Sequence, residues 1–505
     1  MRHLMLVAMA ALITGCGAVS DSASAGKSNA PVQAFEGPVP RAACGAGSRP
    51  ELDVQGRIPI EDKESGRSKE GYWCNLEHVG KSGDGALWQM AWYEDCAYYG
   101  LGVFFAQGNT AGFVPGQPVA VPAGGVAVVD ASDPANPVQT MTLTTPAMMD
   151  PWETLKVNDR RGLLAGSSIS IEGAAFDVYD IKSGLVDGVT DCAHPRLMAS
   201  SFNIMGHEGE WSPDGMTYWS SGFLVPTTTA IDLSIPSAPH IIASISDGIH
   251  GLSLNDAGTR IYAAEFTRAG LGVGEAEREA PSEADPGTNG LEIWDVSAIQ
   301  GRASGPTSTV IPTPLVGAVY WTDGGGAQMT IPVTIKGKPY VIFIDEGGDG
   351  MTRIIDISDE RNPVVVSKLK NEINMPDMAA LREVDGHTGG FQYQGHYCGV
   401  PQREEPGVVA CSYFWQGVRV WDIRNPHNPK EIAYYIPPLD ENDDGNAHAS
   451  SAIRFVKERG ELWFTNQNTG FHIVRFTNGV WPFPEAPAEA PADEPEECTS
   501  ILGCR

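Results

Sequence analysis

The chain has 505 residues and a mass of 53.9 kDa; 42% of its residues are hydrophobic and 19% charged, which is ample material for a core and too little charge for a disordered chain. Its 34 Lys and Arg face 63 Asp and Glu, a formal net charge of -29 that repels phosphate backbones and excludes nucleic acid as a partner. With 58 glycines and 37 prolines, the composition suits many short strands and turns and disfavours long helical bundles.

Met1-Arg2-His3 is a basic start, followed by an apolar run from Leu4 to Ile13 that is too short to span a membrane and has the length of a signal-peptide core. Ile13-Thr14-Gly15-Cys16 resembles a bacterial lipobox. That resemblance implies a signal peptide over 1–15, lipidation of Cys16 and residence in the bacterial cell envelope, extracytoplasmic and in contact with membrane only through the lipid; the alternative is an ordinary secretory signal with an incidental Cys. Residues 16–45 are rich in Ser, Ala, Gly and Pro and read as a flexible tether. Without Cys16, eight of the nine cysteines remain, an even number that favours disulfides in an exported chain. Cys398 and Cys411 flank a turn-like segment and can face each other across a hairpin, and Cys498 and Cys504 can close a small loop. Cys44, Cys74, Cys96 and Cys192 have three possible pairings.

Within residues 46–480 the chain repeats, over most of 85–476. An alternating apolar strand ending in Asp occurs at Val126–Asp130, Phe176–Asp180, Thr229–Asp232, Leu291–Asp295, Arg353–Asp356 and Val418–Asp422, with the Asp residues 50 to 66 positions apart. Phe471–Phe476 continues the series with Arg475 in the Asp position. Several units run on into proline turns, such as Asp133-Pro134-Ala135-Asn136-Pro137 and Asn425-Pro426-His427-Asn428-Pro429. An Asp at a strand end accepts backbone N–H bonds from the turn beyond it, while proline cannot extend a ladder. These segments resemble the LVIVD-repeat family of bacterial β-propeller proteins, and the Trp-Asp pairs at 294–295 and 421–422 fit that pattern better than WD40 blades, whose period is shorter.

Before each Asp strand lies an apolar hairpin, clearest at Leu252–Ala264. The expected fold is therefore all-β: a seven-bladed β-propeller of four-stranded blades. Unit seven runs out of chain after three strands, so an N-terminal strand should close it, with Glu51–Ile60 as the candidate. Ala269–Gly290 reads as an acidic loop, and residues 481–505 as an acidic Pro/Ala-rich tail.

Aligning the units on their first hairpins puts His207, His250, His396 and His448 at one repeat position at the start of the innermost strand, with Glu153 in unit two, Met329 or Gln328 in unit five and Trp88 in unit one. Equivalent positions of different blades point into one axial funnel. Imidazoles gathered there suit a divalent transition metal, iron, zinc, copper or manganese, with Glu153 as a partner or base. The arrangement resembles the four-histidine iron centre of carotenoid-cleaving propeller oxygenases and, more loosely, histidine-bearing propeller lyases. The structural alternative is a repeat histidine bonded to backbone at each blade junction. Asp440, Asn442 and Asp444, followed by Gly445, match the start of a calcium loop whose twelfth position, Ser451, is not the usual Glu. His387 and the aromatic segment Trp88 to Tyr99 are further candidates for the same mouth. Nucleophile-elbow, P-loop, dinucleotide and zinc-protease motifs do not occur. The leading expectation is a binding or scaffold module; the alternative is a lyase or oxygenase using the axial histidines, with Glu153 catalytic.

Overall fold

The computed structural model describes residues 33–482 except residue 87 and residues 102–123, 169–173, 183–190, 223–226, 246–248, 266–288, 303–310, 349–351, 386–391, 439–448 and 468. Seven antiparallel sheets follow one another among the described residues; the first five have their strands in chain order from the axis outward, and the last two add an N-terminal strand at the outer edge. The innermost strands are Met90–Tyr93, Lys156–Asn158, Glu208–Trp211, Ile249–Leu254, Gly324–Ile335, Gly395–Gly399 and Arg454–Val456, for blades one to seven. This is the seven-bladed propeller expected from the repeats.

The repeated Asp works as its position implies. In the third strand of each of the first six blades its Oδ1 accepts the backbone N–H two residues on: Ser132 to Asp130 at 2.9 Å, Lys182 to Asp180, Ser234 to Asp232, Ser297 to Asp295, Ser358 to Asp356 and Arg424 to Asp422 at 3.0 Å. In blade seven Arg475 instead donates to Glu461 at 2.8 Å. The strands are apolar on both faces because each blade is packed on both sides. Val128 faces Leu164 and Tyr179 of blade two, while its neighbour Val129 faces Trp463 and Ile473 of blade seven. Each of the other five junctions has its own buried cluster, so the ring closes through hydrophobic contact all the way round.

Blade seven is closed by an N-terminal strand, but by Leu76–Ser82 and not Glu51–Ile60. Leu76 pairs with Phe476 and Ser82 with Phe471 along the outer edge of the last strand. Tyr72–Cys74 first adds a fifth strand to blade six, against Tyr434–Ile436. Residues Glu51 to Pro59 form no strand, and Ile60–Glu64 is a short helix. Glu51 lies instead against the fully buried Arg419 of blade six, 2.7 Å from its Nη2. Within the stretch read as a tether, Phe35 bridges to Ser367 on the outer strand of blade five, and Val39 is buried beside it.

Among the described residues three disulfides form: Cys398–Cys411, directly opposite across the blade-six hairpin as expected, and Cys44–Cys74 and Cys96–Cys192 out of the three open pairings. Cys16, Cys498, Cys504, the acidic tail from 483 onward and nearly all of Ala269–Gly290 lie outside the described residues.

Candidate metal centre

The innermost strand lies nearest the axis, so side chains at its start can meet from different blades. Glu153, three residues before the blade-two strand, is held by a turn in which Thr154 N–H donates to Pro151 O at 2.8 Å and Thr154 Oγ1 bonds both Pro151 O and Ser167 O. Trp152 sits inside that turn at φ 48°, a left-handed conformation that costs a bulky side chain roughly 1–3 kcal/mol. Glu153 N–H donates to His207 O at 3.3 Å, joining blades two and three at this level.

The carboxylate of Glu153 receives three imidazoles. His207 Nε2 is 3.0 Å and His250 Nε2 3.4 Å from its Oε2; His396 Nε2 is 2.9 Å from its Oε1. The His207 and His250 rings meet edge to face with centroids 4.7 Å apart. All four residues are buried, none more than 5% exposed. The ligating atoms of Glu153, His207 and His250 lie within 4.8 Å of one another. An ion at about 2.0–2.2 Å from each needs separations no greater than about 4.4 Å.

The outer nitrogens of two of the rings are fixed. His250 Nδ1 lies 2.8 Å from Ala327 O, and His396 Nδ1 is bonded to Ser450 O. A carbonyl can only accept, so both rings carry their proton on Nδ1, and a neutral ring then aims the Nε2 lone pair at the axis. The Gln328 amide N–H meets that lone pair of His396 at 3.2 Å. Anchoring of the outer N–H on a backbone carbonyl is how metal-binding imidazoles are oriented. Two lone pairs facing one carboxylate are stable only with a cation or protons between them.

Burial and the facing charges pull the cage in opposite directions. Burial works against an ionised Glu153, yet His207, His250 and His396 hold its pKa well below the usual carboxylate range. Burial lowers His207 to about 4 against the pull of Glu153. On His250 burial is outweighed by Glu153, Glu346 and Glu208, which raise it to about 9. Glu346, from the second strand of blade five, comes within 3.9 Å of His250 and 3.6 Å of His396.

Aromatic rings wall the cage. Trp88 lies 5.2 Å from the His396 ring, Phe414 5.0 Å from it, and Trp152 5.9 Å from the His207 ring. These three join Ile373, Tyr393 and Trp415 in one buried cluster, with Val54 of the N-terminal segment packed on it. Arg57 of that segment forms a paired salt bridge to Asp385, and Tyr393 donates to the same carboxylate. On the axis next to the cage, Glu208 Oε1 accepts from Lys156 Nζ at 2.9 Å and from Tyr397 OH at 3.1 Å.

Of the residues expected at the axis, Glu153, His207, His250, His396, Gln328 and Trp88 are thus brought together, while Met329 turns outward, where its sulfur accepts Cys398 N–H. His448, His387 and the calcium candidates Asp440, Asn442 and Asp444 lie outside the described residues. Glu346, Lys156, Glu208, Tyr397 and Trp152 were not picked out from sequence. Glu208 and Tyr397 do carry a signal, since each directly follows a repeat histidine; Glu346 carries none.

No family model matches the chain, and no curated protein does. Among solved structures it is similar to the β-propeller domain of Cps50 (Swd1) from Myceliophteria thermophila, at 11% identity and a TM-score of 0.45, over 80% of this chain and 100% of that one.

Proposed function

We propose that this protein is a lipid-anchored extracytoplasmic propeller of the LVIVD-repeat kind that holds one divalent first-row transition metal on its axis, through His207, His250, His396 and Glu153, and acts as a binding module. The observation that carries the metal is the convergence of three inward Nε2 atoms from three blades on one buried carboxylate, two of the rings with their outer nitrogen on a backbone carbonyl. Three imidazoles and a carboxylate form a donor set common to iron, zinc, copper and manganese. The export and anchoring part of the reading is supported by the h-region, the Ile13–Cys16 lipobox and three disulfides, which belong to an oxidising compartment.

A second reading, a metal-dependent lyase or oxygenase, is favoured by the aromatic wall of Trp88, Trp152 and Phe414 beside the cage. It suits an apolar substrate, with Glu153 or Glu208 as the base. The deciding experiment on both is metal analysis of the full chain expressed without a His-tag. About one equivalent of a transition metal per chain is expected, and its loss in His250→Ala with the fold retained. Metal-free protein that binds none when supplied with iron, zinc, copper or manganese overturns both.

A further inference from the structure

The cage gathers ligands from blades that face each other. Blades three and six are as far apart as two blades of a seven-fold ring can be, and His207 and His396 come from those two. The residues that follow them in sequence touch. Tyr397 OH donates to Glu208 Oε1 at 3.1 Å across the axis, and Lys156 of blade two reaches the same oxygen at 2.9 Å, with its ammonium 5.7 Å from the centre of the Tyr397 ring. The tie is rigid at every end. The Glu208 side chain is 2% exposed and fills the space over Gly251, where a Cβ would come within 2.4 Å of Oε2 and 2.0 Å of Gln328 O. Glu208 N–H donates to Ser221 Oγ at 3.1 Å, and Tyr397 is clamped by Ser412, which bonds both its N–H and its carbonyl. The Tyr397 ring packs edge-on against His396, centroids 4.5 Å apart.

We propose that Glu208, tied to Tyr397 and Lys156, is a positioning residue that sets the span between His207 and His396 and so selects which divalent metal the cage accepts. The inference rests on the metal reading above. Hydrophobic packing joins each blade to its two neighbours; the Tyr397–Glu208 hydrogen bond, like the Glu153–His396 contact, ties blades across the axis next to the ligands. Lys156 pairs with Glu208, so the tie adds no net negative charge to the cage. The chemistry of a positioning residue is that of outer-shell partners generally, whose loss costs about 10–100-fold in metal affinity.

The test loads full-length wild type, Tyr397→Phe and Glu208→Gln with Co(II), as a spectroscopic probe, and with Zn(II). Tyr397→Phe keeps the ring against His396 and removes only the hydroxyl. It should fold, shift the Co(II) d–d bands, and weaken Zn(II) binding about 10–100-fold, with a changed Co(II)/Zn(II) affinity ratio. Glu208→Gln keeps an oxygen that accepts from both partners and should retain the wild-type spectrum. Glu208→Met, of similar length, cuts both bonds of the tie; if Tyr397→Phe fails to fold, a shifted spectrum there supports the proposal and an unchanged one overturns it. Wild type that takes up metal together with a Tyr397→Phe spectrum and affinity ratio identical to it overturns the positioning role alone. Wild type that takes up neither metal overturns the metal centre, and this inference with it.

Discussion

Glu153 Oε1 and His396 Nε2 lie 2.9 Å apart although they come from blades two and six, on opposite sides of the propeller. The same carboxylate meets His207 and His250 through its other oxygen. A single side chain therefore closes the axis at this level and makes the cage a joint product of four blades.

Glu153→Gln keeps the size and the turn of Pro151–Thr154 but removes the charge. Metal affinity in the variant, measured by competition with a chelator, should fall at least about tenfold, since a carboxylate ligand is replaced by a weaker amide oxygen. Unchanged affinity would place Glu153 outside the coordination sphere.

The roles of Leu76 and Glu51 separate by stability. Leu76 is buried in the blade-six and blade-seven cluster, so Leu76→Ala should cost about 2–5 kcal/mol and weaken the cooperativity of denaturant unfolding by loosening the closing strand. Glu51→Ala leaves the buried Arg419 with Glu431, at 3.0 Å, as its one carboxylate partner among the described residues and should cost about 3–5 kcal/mol. A Glu51→Ala chain as stable as wild type would show that this clamp contributes nothing beyond the Arg419–Glu431 pair.

Asp323 links stability to acid pH. Burial alone would raise its pKa, but Arg353 and Lys368 pull it from 3.8 down to about 2. A depressed carboxyl stabilises the fold fully above about pH 4 and loses that contribution as pH falls towards 2. The shift corresponds to about 2.4 kcal/mol at full value, which solvent screening of a side chain one-third exposed reduces to roughly 1 kcal/mol. Asp323→Asn should therefore be less stable than wild type at pH 7, the difference vanishing below pH 2; a constant difference across that window would assign the effect to packing.

Cys16→Ser tests the anchor. The variant should incorporate no labelled fatty acid and should either remain unprocessed or leave the membrane fraction. Equal labelling of variant and wild type would show that Cys16 is not the lipidation site.

Much of this was written locally in the chain. The Asp at each third strand needs only the N–H two residues later, so its function could be read from six repeats. The histidine position followed from the same period, because equivalent positions in a closed ring must meet at the axis whatever the loops between them do. The Cys398–Cys411 pair was legible because a short hairpin leaves two cysteines facing each other.

Other features depend on which distant surfaces meet. Glu51–Ile60 and Leu76–Ser82 both alternate enough to serve as a strand; the free edge of Gly470–Phe476 took the second because Tyr72–Cys74 is already paired to blade six just before it. Cys44, Cys74, Cys96 and Cys192 were equivalent until the blades placed them in pairs. Glu346 and Lys156 reach the axis from two different blades, and nothing in their own neighbourhoods marks them, since a contact across a ring has no period along the chain. The repeat thus determined the ring and the histidines that line it, through hydrogen bonds and burial that act within one blade or between neighbours. Closure of the ring decided the rest, because only then do side chains from opposite blades come within bonding distance.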